Sequence, residues 1–143
     1  MATSWREMTE RSRQRADSNL SIISAETADN IVRISMRNTG AIRLADFDQC
    51  DLIIHYYNVS ASYQIAWLPH ESIAEGPARW EVLGIYSDAA TLTPEVYEPG
   101  ILNPTEEIIL RTTLASSVQL STTLMAVFST PSGATASMTF TGG

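Results

Sequence analysis

The sequence predicts an all-β protein: an immunoglobulin-like antiparallel β-sandwich of about seven or eight strands, preceded by a short N-terminal α-helix. Three observations carry this. Between Asn30 and Gly40, Val32, Ile34 and Met36 alternate with Arg33, Ser35 and Arg37 before the run stops at Asn38-Thr39-Gly40, the pattern of a half-buried strand ended by a turn. The same period of two returns in spaced segments to the C-terminus. Thr130-Pro131-Ser132-Gly133 joins the last two segments with the residues a tight hairpin connection requires. No self-similar period runs through the chain, so it is not a repeat array.

Taken in order, residues 1–18 form a helical arm and residues 19–143 the sandwich. In the arm, Arg6/Glu10, Glu7/Arg11 and Arg13/Asp17 are spaced four apart, each pair contributing about 0.2–0.5 kcal/mol in an isolated helix. Trp5, Met8, Ser12 and Ala16 give it only a thin apolar face. A helix of about three turns with so little apolar surface is marginal alone. The arm is therefore the continuation of a longer helix, such as one anchoring the chain in a membrane, a helix resting on a partner, or a frayed polar terminus.

After Asn19 the texture changes. Leu20 to Ala25 reads as a first strand, Thr27 to Asn30 as a turn, and the run beginning at Asn30 as the second strand. Ile42, Leu44 and Phe47 punctuate an acidic crossover. Asp51 to Val59 follows, with Leu52, Ile54 and Tyr56 on one face and Ile53, His55 and Tyr57 on the other. Two apolar faces predict a central or covered strand. Tyr63 to Leu68 is its hairpin partner across Asn58 to Ser62. His70 to Ala78 is a loop and Arg79 to Tyr86 a strand. Ser87 to Pro104 is a long segment broken by Pro94, Pro99-Gly100 and Pro104, which carries the chain from one sheet to the other. Ile108 to Leu114, Thr122 to Phe128 and Ala134 to Phe140 complete the set.

At 143 residues the chain fits one domain, which buries roughly two-thirds of the surface its unfolded form exposes. A single cysteine, Cys50, excludes an intramolecular disulfide framework. It reads as a small buried hydrophobe or, failing that, as a reactive thiol. The net charge is −7, and all nine basic residues are arginine. Beyond residue 17 five arginines face thirteen acids, a balance that argues against nucleic acid as a partner. No apolar run is long enough to span a bilayer, and the N-terminus lacks the apolar core of a signal peptide.

The chemistry-bearing residues form no catalytic or cofactor pattern. His55 lies five residues from Cys50, an odd separation that points the two to opposite faces of a strand. His70 sits in a loop beside Glu71, outside any metal-binding helical spacing. Asp46, Asp48 and Asp51 are the densest carboxylates and the one candidate for a hard cation. Their loop lacks the glycine and the terminal glutamate of an EF-hand, so a solvated acidic loop guarding a sheet edge is the competing reading. No G-x-S-x-G elbow, serine-lysine motif or phosphate loop is present. Asn19-Leu20-Ser21 and Asn58-Val59-Ser60 are acceptor triplets that make Asn19 and Asn58 glycosylation candidates in an exported chain. Tyr56, Tyr57, Tyr63, Trp67 and Trp80 could serve a sugar-binding platform, against which stands the ordinary role of strand aromatics in a core.

Several segments together resemble the soluble domains of archaeal flagellum (archaellum) accessory proteins and of related archaellins and type IV pilin-like proteins. They are the charged helix, the entry Asn19-Leu20-Ser21-Ile22-Ile23-Ser24, the run Ile31 to Met36 closed by Arg37-Asn38-Thr39-Gly40, and Asp46-Phe47-Asp48. Trp80, the tract Gly100-Ile101-Leu102-Asn103-Pro104-Thr105-Glu106 and the hairpin Phe128 to Gly133 extend the likeness over most of the chain. Two departures stand out. The family's hydrophobic N-terminal helix with its prepilin-type cleavage site is missing, and its proline-glycine-glutamate turn is here Pro104-Thr105-Glu106, which a type I turn accommodates without glycine.

The resemblance implies a non-enzymatic structural role at the cell surface, outside the cytoplasmic membrane. The domain would be a stator component bound to a surface-layer protein or a filament subunit, self-associating, with membrane anchoring through an upstream helix and no cofactor. The alternative from a different class is a secreted carbohydrate- or ligand-binding sandwich.

Overall fold

The protein is represented by a computed structural model, which describes residues 19–71, 78–95 and 100–142. The predicted N-terminal helix of residues 1–18 lies outside the described residues. Among the described residues nine strands form two antiparallel sheets. In chain order they are β1 (Leu20–Ala28), β2 (Ile31–Asn38), β3 (Asp51–Tyr57), β4 (Tyr63–Leu68), β5 (Trp80–Asp88), β6 (Thr93–Pro94), β7 (Glu107–Thr113), β8 (Thr123–Ser129) and β9 (Thr135–Thr141). One sheet has the order β1-β2-β7-β5-β6 and the other β4-β3-β8-β9. This is the predicted β-sandwich. The strand beyond the eight legible ones is β6, only two residues long and ending in Pro94, which cannot donate to a ladder.

Alternation decides the interior. Val32, Ile34 and Met36 of β2, Leu52, Ile54 and Tyr56 of β3, and Leu124, Ala126 and Phe128 of β8 are all buried, and their inner faces meet as one core. At about 25 cal/mol per Å² this apolar burial is the main favourable contribution to folding. Trp80 is fully buried at the centre. Phe128 and Phe47 pack edge-on against it at 5.4 and 6.5 Å, and His70 at 4.6 Å. Phe47 arrives there from a short 3-10 turn, Phe47–Gln49, within the crossover.

Two bulges modify the simple alternation. β1 keeps pairing with β2 through Ala28↔Ile31, three residues beyond its predicted end at Ala25, so the turn predicted at Thr27 to Asn30 shrinks to Asp29-Asn30, and a register shift between Ile22 and Ser24 re-phases the strand. Before the shift Leu20 and Ile22 face inward, after it Ala25 does, and Ile23 is left 47% exposed. In β5 a shift between Val82 and Gly84 likewise turns Ile85 inward. The ring of Tyr86, two residues on, lies over Gly84, where a Cβ would displace it.

Asn38 ties the end of β2 to two distant segments. Its buried Nδ2 donates to the carbonyls of Ile42 (2.8 Å) and Leu102 (3.0 Å), and its Oδ1 accepts from the Gly40 N–H at 3.0 Å. Its backbone N–H donates to Glu106 O, and its own carbonyl accepts from Thr105 N–H. The turn at Asn103 to Glu106 corrects one sequence expectation. Glu106 N–H closes it onto Asn103 O at 3.0 Å, with Pro104 at the second position. Thr105, at the third, has φ of 73°, the positive value of a type II turn rather than type I. Glycine is the residue this geometry favours, and Thr105 holds it under strain.

Candidate interaction surface

The feature that distinguishes this sandwich is the outer face of its smaller sheet. Strand pairing sets Trp67, Ile53, Val127 and Ser137 in one row across β4, β3, β8 and β9. Ile65, His55, Met125 and Thr139 form the next row, and Tyr63 and Tyr57 pair beyond them. Tyr63, Ile65 and Trp67 are 52%, 63% and 56% exposed. The sequence predicts β3 as central or covered because both its faces are apolar. It is central, and among the described residues its outer face has no cover.

Hydrogen bonds on this face hold the polar tips of Trp67 and Tyr63 and leave their rings outward. Trp67 Nε1 donates to Asp51 Oδ1 at 3.0 Å. The Tyr63 hydroxyl and His55 Nδ1 are 2.7 Å apart, and the rings of Tyr57 and Tyr63 lie 5.3 Å apart and tilted. Fixed aromatics, a methionine and few charges describe the centre of a protein–protein interface.

The outer face of the larger sheet is the opposite in character. Glu26, Arg33, Arg111 and Glu81 lie in one row across β1, β2, β7 and β5. Arg111 reaches Glu81 with both Nε (2.7 Å) and Nη2. The two glutamates flank a pair of directly opposed arginines, offsetting a like-charge contact that is destabilising by itself. This face is solvated, whereas the smaller sheet presents rings.

The candidate residues from sequence separate clearly. Tyr56 and Trp80 belong to the core, so of the five aromatics proposed as a platform only Tyr57, Tyr63 and Trp67 share the exposed face. Asp51 is engaged by Trp67, and Asp46 precedes the 3-10 turn, its carbonyl accepting from Gln49 N–H and Cys50 Sγ. Among the described residues no three His, Cys, Asp or Glu side chains converge to hold a metal. Asn19 is exposed, and its carbonyl accepts from both Thr39 and Gly40 N–H. Asn58 Oδ1 accepts from Ser60 and Ser62 N–H, shaping the β3–β4 turn.

Cys50 is buried. Burial, reinforced by the charges of Asp51, Asp46 and Asp48, pushes its thiol up to about 12. It is therefore protonated and poorly nucleophilic at neutral pH. Cys50 and His55 do face opposite ways, as their spacing predicts: the thiol is inside and the imidazole on the ringed face.

The motif cluster carrying the sequence resemblance is drawn together at one end of the sandwich. Asn19, Asn38-Thr39-Gly40 and Leu102 to Glu106 are joined by the bonds described above, and Leu44 bridges Leu102. Thr130 and Pro131 line the adjoining cleft beside Leu20, Asn38 and Leu44.

Fold and surface together define a two-sheet β-sandwich domain with one outer sheet face rich in exposed aromatic and apolar side chains. The structural comparisons are specific about the fold. The archaellum periplasmic stator protein FlaG from Sulfolobus acidocaldarius superposes with a TM-score of 0.63 and 17% identity, over 86% of this chain and 99% of that one. The FlaF and FlaG stator complex from the same organism gives a TM-score of 0.61 at 18% identity, over 86% and 89% of the two chains. The archaeal flagellin FlaB1 from Methanocaldococcus jannaschii gives 0.61 at 16%, over 87% and 90%. The chain thus has the fold of archaellum stator and filament proteins, as its sequence motifs suggest. No family model and no curated protein sequence matches it.

Proposed function

We propose that this chain is a non-enzymatic, extracytoplasmic structural domain of an archaellum-like machine, acting as a stator or anchor element that binds filament or surface-layer protein. The observation that carries the reading is the near-complete mutual coverage with the stator protein FlaG. The exposed face of Tyr63, Ile65 and Trp67 supplies the contact surface. A large ringed patch of this kind on a soluble domain marks a place where another protein sits. The acidic body accords with a partner that is a protein rather than a nucleic acid.

Co-sedimentation of the purified chain with archaellum filaments and with surface-layer sheets from its own organism tests the proposal. Binding to either one is expected, and Trp67→Arg, placing a charge in the centre of the face, is expected to abolish it. A chain that pellets with neither preparation overturns the reading.

A further inference from the structure

The ringed face ends at β4, and the backbone of that strand specifies what can meet it. Among the described residues β4 is an edge strand, paired with β3 alone. The other edge of the same sheet is shielded, because β9 runs alongside β1 of the facing sheet. Edge strands are ordinarily protected by lysine, proline, bulges or shortness. β4, Tyr-Gln-Ile-Ala-Trp-Leu, has none of these: it carries no charge and pairs with β3 in unbroken register over six residues.

One hydrogen bond sets the phase of that pairing. Asn58 N–H donates to Ser62 O at 3.0 Å, making Asn58 and Ser62 a hydrogen-bonded pair. In an antiparallel ladder such pairs alternate with non-bonded ones. With no register shift, Gln64, Ala66 and Leu68 therefore exchange bonds with β3, while the N–H and C=O groups of Tyr63, Ile65 and Trp67 point away from it to the open edge. The residues whose side chains form the exposed face are also those whose backbones are unpaired among the described residues.

We infer that β4 pairs antiparallel with β4 of a second copy of this chain, about a two-fold axis at Ile65, joining two four-stranded sheets into one of eight strands with a continuous ringed face. The segment is symmetric in the way a two-fold contact requires. With Ile65 opposite Ile65 of the partner subunit, Tyr63 of each copy falls opposite Trp67 of the other. Both cross-strand pairs are then aromatic, and all the outward N–H and C=O groups of the three residues find partners. The three paired residues carry no charge, and Asp51, beside Trp67 on β3, has one carboxylate oxygen held by Trp67 Nε1, so the centre of the contact brings no like charges together.

The inference rests on reading this face as the protein-contacting surface, and its test separates the two. Two copies of net charge −7 repel at long range, and raising salt from about 0.1 M to about 1 M shortens the screening length from about 10 Å to about 3 Å. Sedimentation equilibrium of the full chain is therefore expected to show a dimer that tightens with salt. Ile65→Pro removes an N–H that β3 does not use, so the sheet survives, and the variant is expected to be folded by circular dichroism and monomeric. Hydrogen exchange on the unaltered protein gives an independent readout. The amides of Tyr63, Ile65 and Trp67 are expected to slow at least tenfold on concentrating the sample through the dimer range.

A chain that stays monomeric at all salt concentrations, or a dimer in which those three amides exchange freely, overturns the inference. So does an Ile65→Pro variant that remains dimeric. A monomer that still pellets with filaments in a Trp67-dependent way removes this inference and leaves the proposed function standing. A salt-strengthened β4 dimer that pellets with neither preparation does the reverse.

Discussion

Replacing Asn38 by alanine removes three hydrogen bonds at once, and the structure sets the size of the effect. The two Nδ2 bonds, to the carbonyls of Ile42 and Leu102, and the Oδ1 bond from Gly40 all disappear. Asn38 itself is 1% exposed, so the Leu102 carbonyl is left facing a small cavity rather than water. An unsatisfied buried acceptor costs about 1–3 kcal/mol, and each ordinary bond contributes about 0.5–1.5 kcal/mol net. Ile42 is partly exposed, and its carbonyl can recover a water, as can the Gly40 amide. The expected loss is therefore about 2–4 kcal/mol.

Asn38→Asp provides the sharper comparison, because it is nearly isosteric and retains the acceptor for Gly40. It places a carboxylate oxygen against two carbonyl oxygens in a buried site, and burial without a compensating donor penalises charge heavily. Urea unfolding followed by tryptophan fluorescence measures both variants. The aspartate is expected to be at least as destabilising as the alanine at pH 7 and to recover part of the loss in acid, where the protonated carboxyl can donate to one carbonyl. A loss under about 1 kcal/mol for the alanine, or an aspartate milder than alanine at pH 7, would show that Asn38 does not organise this end of the sandwich.

Other consequences are equally direct. Thr105→Gly relieves a φ of 73° and is expected to raise the unfolding free energy by about 1 kcal/mol, the scale of the left-handed penalty less the added entropy of glycine in the unfolded chain; thermal melts would detect a decrease as a contradiction. Cys50 is expected to resist alkylation in the native protein at pH 8 and to react fully in denaturant, which mass spectrometry reads directly. The same thiol gives a pH dependence. Its ordinary value of 9.0 is raised to about 12 on folding, so between these values the unfolded chain holds fewer protons and stability falls as pH rises. Cys50→Val is expected to flatten that alkaline decline, and an unchanged slope would remove the thiol as its source. Gly133→Ala forces a φ of 92° on a residue with a Cβ, and is expected to cost about 1–2 kcal/mol in urea unfolding.

Much of the candidate surface was legible in outline. The two-faced apolar pattern of Asp51 to Val59 is visible in the sequence, and Tyr63 and Trp67 are among its five candidate platform aromatics, but nothing in it brings Asn38 together with Leu102 to Glu106. What alternation cannot say is which face of a strand gets covered, because a period of two is identical for both. That depends on the facing sheet, and the facing sheet here covers Leu52, Ile54 and Tyr56 only. Trp80 and Tyr56 carry the same local signal as Trp67 and Tyr57, yet packing sends one pair to the core and the other to the surface.

The class of fold, nearly every strand, the hairpin at Thr130 to Gly133 and the inward positions of β2 were readable from the chain alone, because alternation and turn chemistry are local properties. Only the tertiary structure decided that β2 pairs with β7, that the turn at Thr105 needs a positive φ, that two bulges re-phase β1 and β5, and that β4 lies at an open edge with its backbone groups and aromatic rings on offer. Each of these depends on contacts between residues far apart in the chain, which no local pattern encodes.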